Sequence, residues 1–248
     1  MLSYDMTIED IEKLNPDTAV LAFASIEQHG AHLPVSTDYI TTEAFARGVA
    51  EQLGAFLIPT FPISNCREHM GKKGSVWMKP DTFYNMVIDI CHSLKEQGFK
   101  KAVIIRGHGG IFVLSPTIRE LNATLNSDFM VCCVEYYDYV DAYRKAGIIE
   151  SDVCLHADEL ETSVVMHLRG DLVKNDQISD FVPDAPRTYL NYGSIFCASP
   201  KGVWGRPSYA SAEKGEKVLK MGIELMAAEA KRAFDYMQNK NTIGYSDF

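Results

Sequence analysis

The sequence predicts an α/β fold, a three-layer αβα sandwich with a mainly parallel central sheet. Short apolar runs alternate with stretches of helical periodicity, and clusters of ionisable residues follow directly on two of those runs. The first run, Thr18-Ala-Val-Leu-Ala-Phe-Ala24, reads as a buried strand. A helix over residues 38–53 follows, then a strand over 55–60, a helix over 81–97 and a strand over 101–105. The rhythm continues with a helix over 112–125 and a strand over 129–134, and further helices are expected over 157–168 and 211–236. Repeated βαβ units lay strands parallel and place helices on the faces of the sheet, hence the layers.

With 248 residues, 46% of them apolar, the chain can bury a substantial core. No repeat, low-complexity tract or Pro/Ser-rich linker divides it, so a single domain over residues 1–248 is expected. The longest connections, 62–80 and 171–208, are expected to pass over a site. A formal charge of -9 argues against nucleic acid, whose phosphates need a basic surface, and a small polar molecule is the expected partner. The N-terminal residues lack the basic and apolar regions of a signal peptide, and no run has the length of a membrane span. A cytoplasmic protein without membrane contact is therefore expected. The six cysteines show no Cys-x-x-Cys spacing and read as free thiols, with Cys132 and Cys133 inside the strand over 129–134.

Four groups able to bind metal or carry protons, Glu27, His29, His32 and Asp38, follow the first strand. Strand ends are where ligands gather in open α/β sheets. In an extended loop Glu27 and His29 project the same way, so each offers a lone pair to one cavity, and Asp38 could bridge two ions. The structural alternative makes Asp38 the cap of a helix beginning at Tyr39, and His29 a hydrogen-bonded loop histidine.

The second cluster, Arg106-Gly-His108-Gly-Gly110, follows the strand over 101–105 and so lies at the same sheet edge. Its glycines allow close backbone approach to a ligand; a tight turn is the alternative, and the spacing of a phosphate loop is missing. In the third, Leu155 to Met166, helix-dipole interaction accounts for Asp158 and Glu159. Glu161 differs, because it shares the inward face with Val164, Val165 and Leu168, and a buried carboxylate needs a cation or donors. His156, at the helix entrance, suits a proton carrier, with a capping or surface histidine as the alternative. In the connection over 62–80, His69 reads as a substrate contact, and Ser75 stands in the same polar segment; His92 and His167 read as structural.

Taken in order, these segments resemble the creatininase (creatinine amidohydrolase) family. The signature Gly-Ser-x-Glu-Gln-His-Gly-Pro-His-Leu-Pro-x-x-Thr-Asp is similar to residues 24–38, Asn-Gly-His-Gly-Gly-Asn to 106–111, and His-Ala/Gly-Gly-x-x-Glu-Thr-Ser to 156–163. A late Gly-Val-x-Gly-x-Pro and Ala-x-x-Glu-Lys-Gly are similar to 202–207 and 210–215. The resemblance implies a creatininase-like fold and a binuclear centre of two divalent ions, zinc and/or manganese. Glu27 and His108 would hold one ion and His29 the other, with Asp38 bridging. Creatininase draws a further ligand from a glutamate at the position of Gly110, for which Glu161 is the candidate replacement and water the alternative.

The implied reaction is attack of a metal-bridging hydroxide on the carbonyl of a small cyclic amide, with His156 passing a proton to the leaving atom and Glu161 in catalytic support. Arg106, His69 and Ser75 are the expected substrate contacts. The alternatives are ring opening of a cyclic polyol diketone of the 3-dehydro-scyllo-inosose type, and a non-catalytic small-molecule binder. Arg106 and Ile111 stand where the second signature has Asn, Ala31 stands where the first has Pro, and no Trp-Asp pair precedes His156, so creatinine itself is not the expected substrate. Family members tend to be hexamers, so a homo-oligomer is expected.

Overall fold

The computed structural model describes residues 2–125 and 128–239, so the domain expected over 1–248 extends past the described residues at both ends. Strands β1 (Thr18–Phe23), β2 (Phe56–Leu57), β3 (Lys101–Arg106) and β4 (Met130–Val134) form a parallel sheet in the order β2-β1-β3-β4. Strands β5 (Cys154–His156) and β6 (Trp204–Gly205) form a small antiparallel pair apart from it. The helices in chain order are α1 (Ile8–Leu14), α2 (Thr37–Leu53), α3 (Pro80–Glu96), α4 (Leu114–Thr124), α5 (Val140–Lys145), α6 (Glu159–Arg169), α7 (Ile195–Ala198) and α8 (Ala212–Asn239).

Alternate strand residues face opposite layers, which explains why the strands read as unbroken apolar runs. Val20, Ala22, Val103 and Ile105 pack against Phe45 and Val49 of α2, Val164 of α6 and Val218 and Met226 of α8. Ala19, Leu21, Phe23, Ala102 and Ile104 pack on the other face against Phe83 and Val87 of α3 and Leu114 and Leu121 of α4. This is the three-layer α/β arrangement that the sequence predicts.

Element ends differ from expectation for identifiable reasons. The strand expected over 55–60 is reduced to Phe56–Leu57, because the pairing with β1 slips there: the Ile58 N–H donates to the Val20 carbonyl, and the next bond, to the Ala22 carbonyl, comes from Phe61. The helix expected from residue 157 begins at Glu159, since Asp158 is its cap and accepts from the Leu160 and Glu161 N–H groups at 2.8 and 3.1 Å. Helix α1, capped by Thr7, and the β5–β6 pair are too short for periodicity to register.

The topology creates the crevice. Neighbouring β1 and β3 lead away from each other, β1 through α2 to β2 and β3 through α4 to β4, with the two helices on opposite faces. The loops leaving their C-terminal ends diverge there, at a topological switch point. The long connections 62–80 and 171–208 meet above it, where Ser194 Oγ donates to the Met70 carbonyl at 2.6 Å and Lys72 lies over the Phe196 ring.

Glycine closes the helical layer. A Cβ on Gly215 in α8 would overlap the Ser163 carbonyl of α6, and neither backbone can rotate away. Gly215→Ala should therefore cost about 1–3 kcal/mol by forcing the helices apart. A urea titration should show a lower midpoint at unchanged slope.

Candidate metal centre and its cavity

Glu27, His29 and Asp38 lie beyond the C-terminal end of β1, at 0%, 1% and 1% exposure. Water cannot satisfy groups so enclosed, yet Glu27 Oε1 and Oε2, His29 Nε2 and Asp38 Oδ2 have no hydrogen-bond partner. Asp38 is not a cap. Helix α2 begins before it, at Thr37, and Asp38 sits inside the first turn with its carboxylate turned inward. One oxygen, Oδ1, is 3.1 Å from His29 Nε2, and the other, Oδ2, is 3.4 Å from His108 Nδ1. That placement between two imidazoles is what a bridging carboxylate requires.

Each histidine is fixed from outside and aimed inward. His29 Nδ1 donates to the Glu27 carbonyl at 3.1 Å, leaving Nε2 to face Asp38 and, at 3.6 Å, Glu161 Oε2. His108 Nε2 is held by Glu68 Oε1 at 2.9 Å, leaving Nδ1 at 3.1 Å from Glu27 Oε2. His156 Nε2 donates to the Gln28 carbonyl at 2.7 Å, so its Nδ1 is the free nitrogen, 3.7 Å from Glu27 Oε1. The Gln28 side chain accepts the Gly30 N–H through Oε1, so its nitrogen is the atom bonded to His69 Nδ1 at 3.0 Å. His69 Nε2 then stands 3.2 Å from Glu27 Oε1.

Three sets of ligand atoms each fall within 4.8 Å of one another: His29, Asp38 and Glu161; Glu27, His69 and His108; Glu27, His29 and His156. These groups have the oxygen and imidazole character that zinc and manganese accept. The electrostatics agree with a cation-seeking site. Burial drives the Glu27 carboxyl up to about 8, against the pull of His108. For Asp38 burial also opposes ionisation, but His29 and His108 outweigh it and hold the carboxyl low. Burial disfavours the charged form of His29 as well, and the Glu161 and Asp38 carboxylates overcome this to raise it. His156, which faces the same Glu161 and Asp38 carboxylates without hydrogen bonds to them, is pushed down to about 3 by burial and by His29.

The local backbone explains the site's spacing. Gly107 has no room for a side chain, because a Cβ would overlap Thr42 of α2, and its N–H donates to the Phe23 carbonyl at 2.8 Å. This contact brings the end of β3, and with it His108, beside the end of β1. Ala157 adopts φ +50, a left-handed conformation uncommon for residues other than glycine. Its N–H donates to Glu161 Oε2 at 2.6 Å, which ties the β5–α6 turn to the same carboxylate that faces His29.

The cluster opens into a cavity of about 1200 Å³. His69, Arg106, His108, His156 and Glu161 line it. Arg106 does so as half of an ion pair, since Glu135 holds its Nε and Nη2, rather than as a free cation for a substrate. His69 is buried at 3% exposure with its nitrogens directed at Gln28 and Glu27. Ser75 is not among the lining residues; its Oγ accepts the Gln28 N–H at 3.2 Å. His32 bonds Thr162 Oγ1 at 3.0 Å and belongs to none of the ligand sets, while His92 and His167 are exposed on their helices.

Three groups escaped the sequence reading. Gln28 stands inside the quoted signature but carries no charge, Glu68 adjoins His69, and Glu135 follows β4 at the same sheet edge. An ionisable residue directly after a predicted strand was the available signal for Glu135. Glu159, by contrast, is structural as expected: it accepts the Ser151 N–H at 2.6 Å and pairs with Lys214. All six cysteines are free.

The creatininase family profile, described as creatinine amidohydrolase, matches residues 4–229. The chain belongs to the creatininase family. It is 26% identical to the creatinine amidohydrolase of Pseudomonas putida, over 87% of this chain and 89% of that one. It is 28% identical to the mycofactocin precursor peptide peptidase of Mycolicibacterium smegmatis, over 84% and 82% of the two chains. A third relative, the 3-dehydro-scyllo-inosose hydrolase of Thermotoga maritima, is 25% identical over 86% and 76%. The crystal structure of a creatininase superposes with a TM-score of 0.80 at 23% identity, covering 94% of this chain and 98% of that one, and so shares the fold. These relatives are all hydrolases by name, with three different substrates.

A site of this kind should couple metal to stability. Adding zinc or manganese to chelator-treated protein should raise its melting temperature, by the equivalent of about 2.7 kcal/mol at a hundredfold excess over Kd. His29→Ala should shrink that rise.

Proposed function

We propose that this protein is a metal-dependent hydrolase that cleaves an amide bond, with Glu27, His29, Asp38, His108 and Glu161 holding two divalent ions, zinc and/or manganese. The observation that carries the reading is the set of buried, unpartnered oxygens and nitrogens on Glu27, His29 and Asp38, directed at one another and open to a cavity. Burying such groups without a cation would cost several kcal/mol. Glu27 and His108 suit one ion, His29 and Glu161 the other, and Asp38 offers one oxygen to each. When bound, the ions supply Lewis acidity and lower the pKa of water enough to make a nucleophile at neutral pH.

The chain's own residues handle the proton and the orientation. Because His156 Nε2–H is committed to the Gln28 carbonyl, Nδ1 is the basic atom presented to the cavity. Nδ1 would relay the attacking water's proton, made acidic by the ions when bound, to the departing nitrogen, so that the amine leaves neutral. The Ala157 N–H fixes Glu161, in its role of catalytic support, to the turn that carries His156. Glu135 keeps Arg106 at the wall, where the pair contacts substrate as a dipole; His69 and Ser75 support Glu27 and Gln28.

A small cyclic amide is one substrate class for this machinery. The cavity favours a second, an amide within a larger molecule such as a peptide, because about 1200 Å³ exceeds what a single small ring fills. The peptide substrate in the name of the mycobacterial relative agrees with this. We place the catalytic unit in one domain and assign it to a homo-oligomer, hexameric by resemblance to the family.

Elemental analysis tests the centre. Glu27→Gln and His108→Ala should each lose bound metal, and unchanged content in both would sink the assignment. His156→Ala should keep its metal and lose about 10²- to 10⁴-fold in rate. Product analysis over creatinine-like rings, short peptides and inososes chooses the bond: an amine reports amide cleavage, while a ring-opened keto acid moves the reading to C–C hydrolysis.

A further inference from the structure

His108 is the ligand candidate whose orientation depends on a side chain from a distant loop. Its Nε2 lies 2.9 Å from Glu68 Oε1, and Glu68 belongs to the short turn Arg67–His69 in the connection over the site. The Glu68 side chain is 16% exposed, so solvent competes weakly for the carboxylate. On the far side of the ring, Nδ1 faces Glu27 Oε2 at 3.1 Å and Asp38 Oδ2 at 3.4 Å. A carboxylate accepts only from a protonated nitrogen, so the contact selects the tautomer with hydrogen on Nε2 and a lone pair on Nδ1.

The glycine loop after β3 is shaped to admit this carboxylate. A Cβ on Gly110 would overlap both Glu68 Oε1 and His108 Nε2. The absence of a side chain at 110 therefore opens the space in which the bond between Glu68 and His108 forms. Gly107 and Gly110 divide the work, one admitting Thr42 of α2 and the other admitting Glu68. The turn bearing Glu68 is itself held in place: the His69 N–H donates to the Cys66 carbonyl at 3.0 Å, and the Arg67 guanidinium lies over the Trp77 ring.

We propose that Glu68 is the positioning residue of the metal centre. It holds His108 in the Nε2–H tautomer, aims Nδ1 at the point between Glu27 and Asp38, and is the reason that residue 110 is glycine. This deepens the metal reading given above and rests on it. Carboxylates behind ligating histidines raise ligand basicity and fix ring orientation, and their loss typically lowers metal affinity about 10- to 100-fold.

The test is metal binding, independent of any substrate. Metal-free protein is titrated with Co²⁺ against a competing chromophoric chelator while its visible d–d absorption is followed. Wild type should take up two ions. Glu68→Ala should bind the ion beside His108 about 10- to 100-fold more weakly and change its absorption band, while the ion beside His29 is spared. Glu68→Gln keeps an acceptor oxygen and should recover most of the affinity. Gly110→Ala should reproduce the loss by displacing the carboxylate, which gives a second route if Glu68→Ala does not fold. Equal Co²⁺ affinity and spectrum in wild type and in Glu68→Ala or Gly110→Ala would overturn the role of Glu68 alone. Wild type that takes up no Co²⁺ would overturn the metal centre and this inference together.

Discussion

Much of this structure is organised by two carboxylates placed where water does not reach. Glu27 and Asp38 are buried against each other's field at the end of β1, and the cost of ionising them there is met only by groups that bring positive charge. Two histidines supply the first answer, His29 from the same loop and His108 from the end of β3, while His69 from the connection over 62–80 and His156 from β5 are held neutral by burial and turn nitrogens toward Glu27. The sheet topology makes that convergence possible. A switch point between β1 and β3 lets their loops diverge and leaves a crevice for side chains from several directions.

Convergence alone would leave the imidazoles free to turn, and the structure removes that freedom from outside. The backbone of Glu27 and Gln28 bonds His29 and His156, the Gln28 amide bonds His69, and Glu68 bonds His108. Each bond uses one nitrogen and leaves the other directed at the carboxylates. Glycines at 107 and 110 and the left-handed Ala157 give backbone the approach that such packing needs. Around this rigid floor the cavity walls are built from longer connections, and they include the Arg106–Glu135 pair. The ionisable floor and much of the cavity wall thus come from different parts of the chain, in a family whose named members act on different molecules.

The legible features were those with a local cause. Apolar runs gave the strands because a sheet covered on both faces demands them, whereas the slip in pairing that shortens β2 leaves no mark in the run over 55–60. Glu161 could be singled out because helical spacing put a carboxylate on an apolar face, and it is buried beside His29. Arg106 illustrates the opposite case: its charge was visible, but the partner that neutralises it, Glu135, lies on another strand. Ser75 was similarly visible as a polar loop residue, while its bond to the Gln28 backbone depends on how two loops cross.

By itself the sequence determined the layers, the order of the elements and the edge of the sheet at which ionisable residues collect, because periodicity and adjacency to strand ends are written residue by residue. It also placed the chain in its family. Only the tertiary structure decided which nitrogen of each histidine points inward, that Glu68 enters the space beside Gly110, and how large the cavity is. Those outcomes depend on hydrogen bonds and overlaps between segments remote in sequence, and no local pattern encodes the distance between two loops.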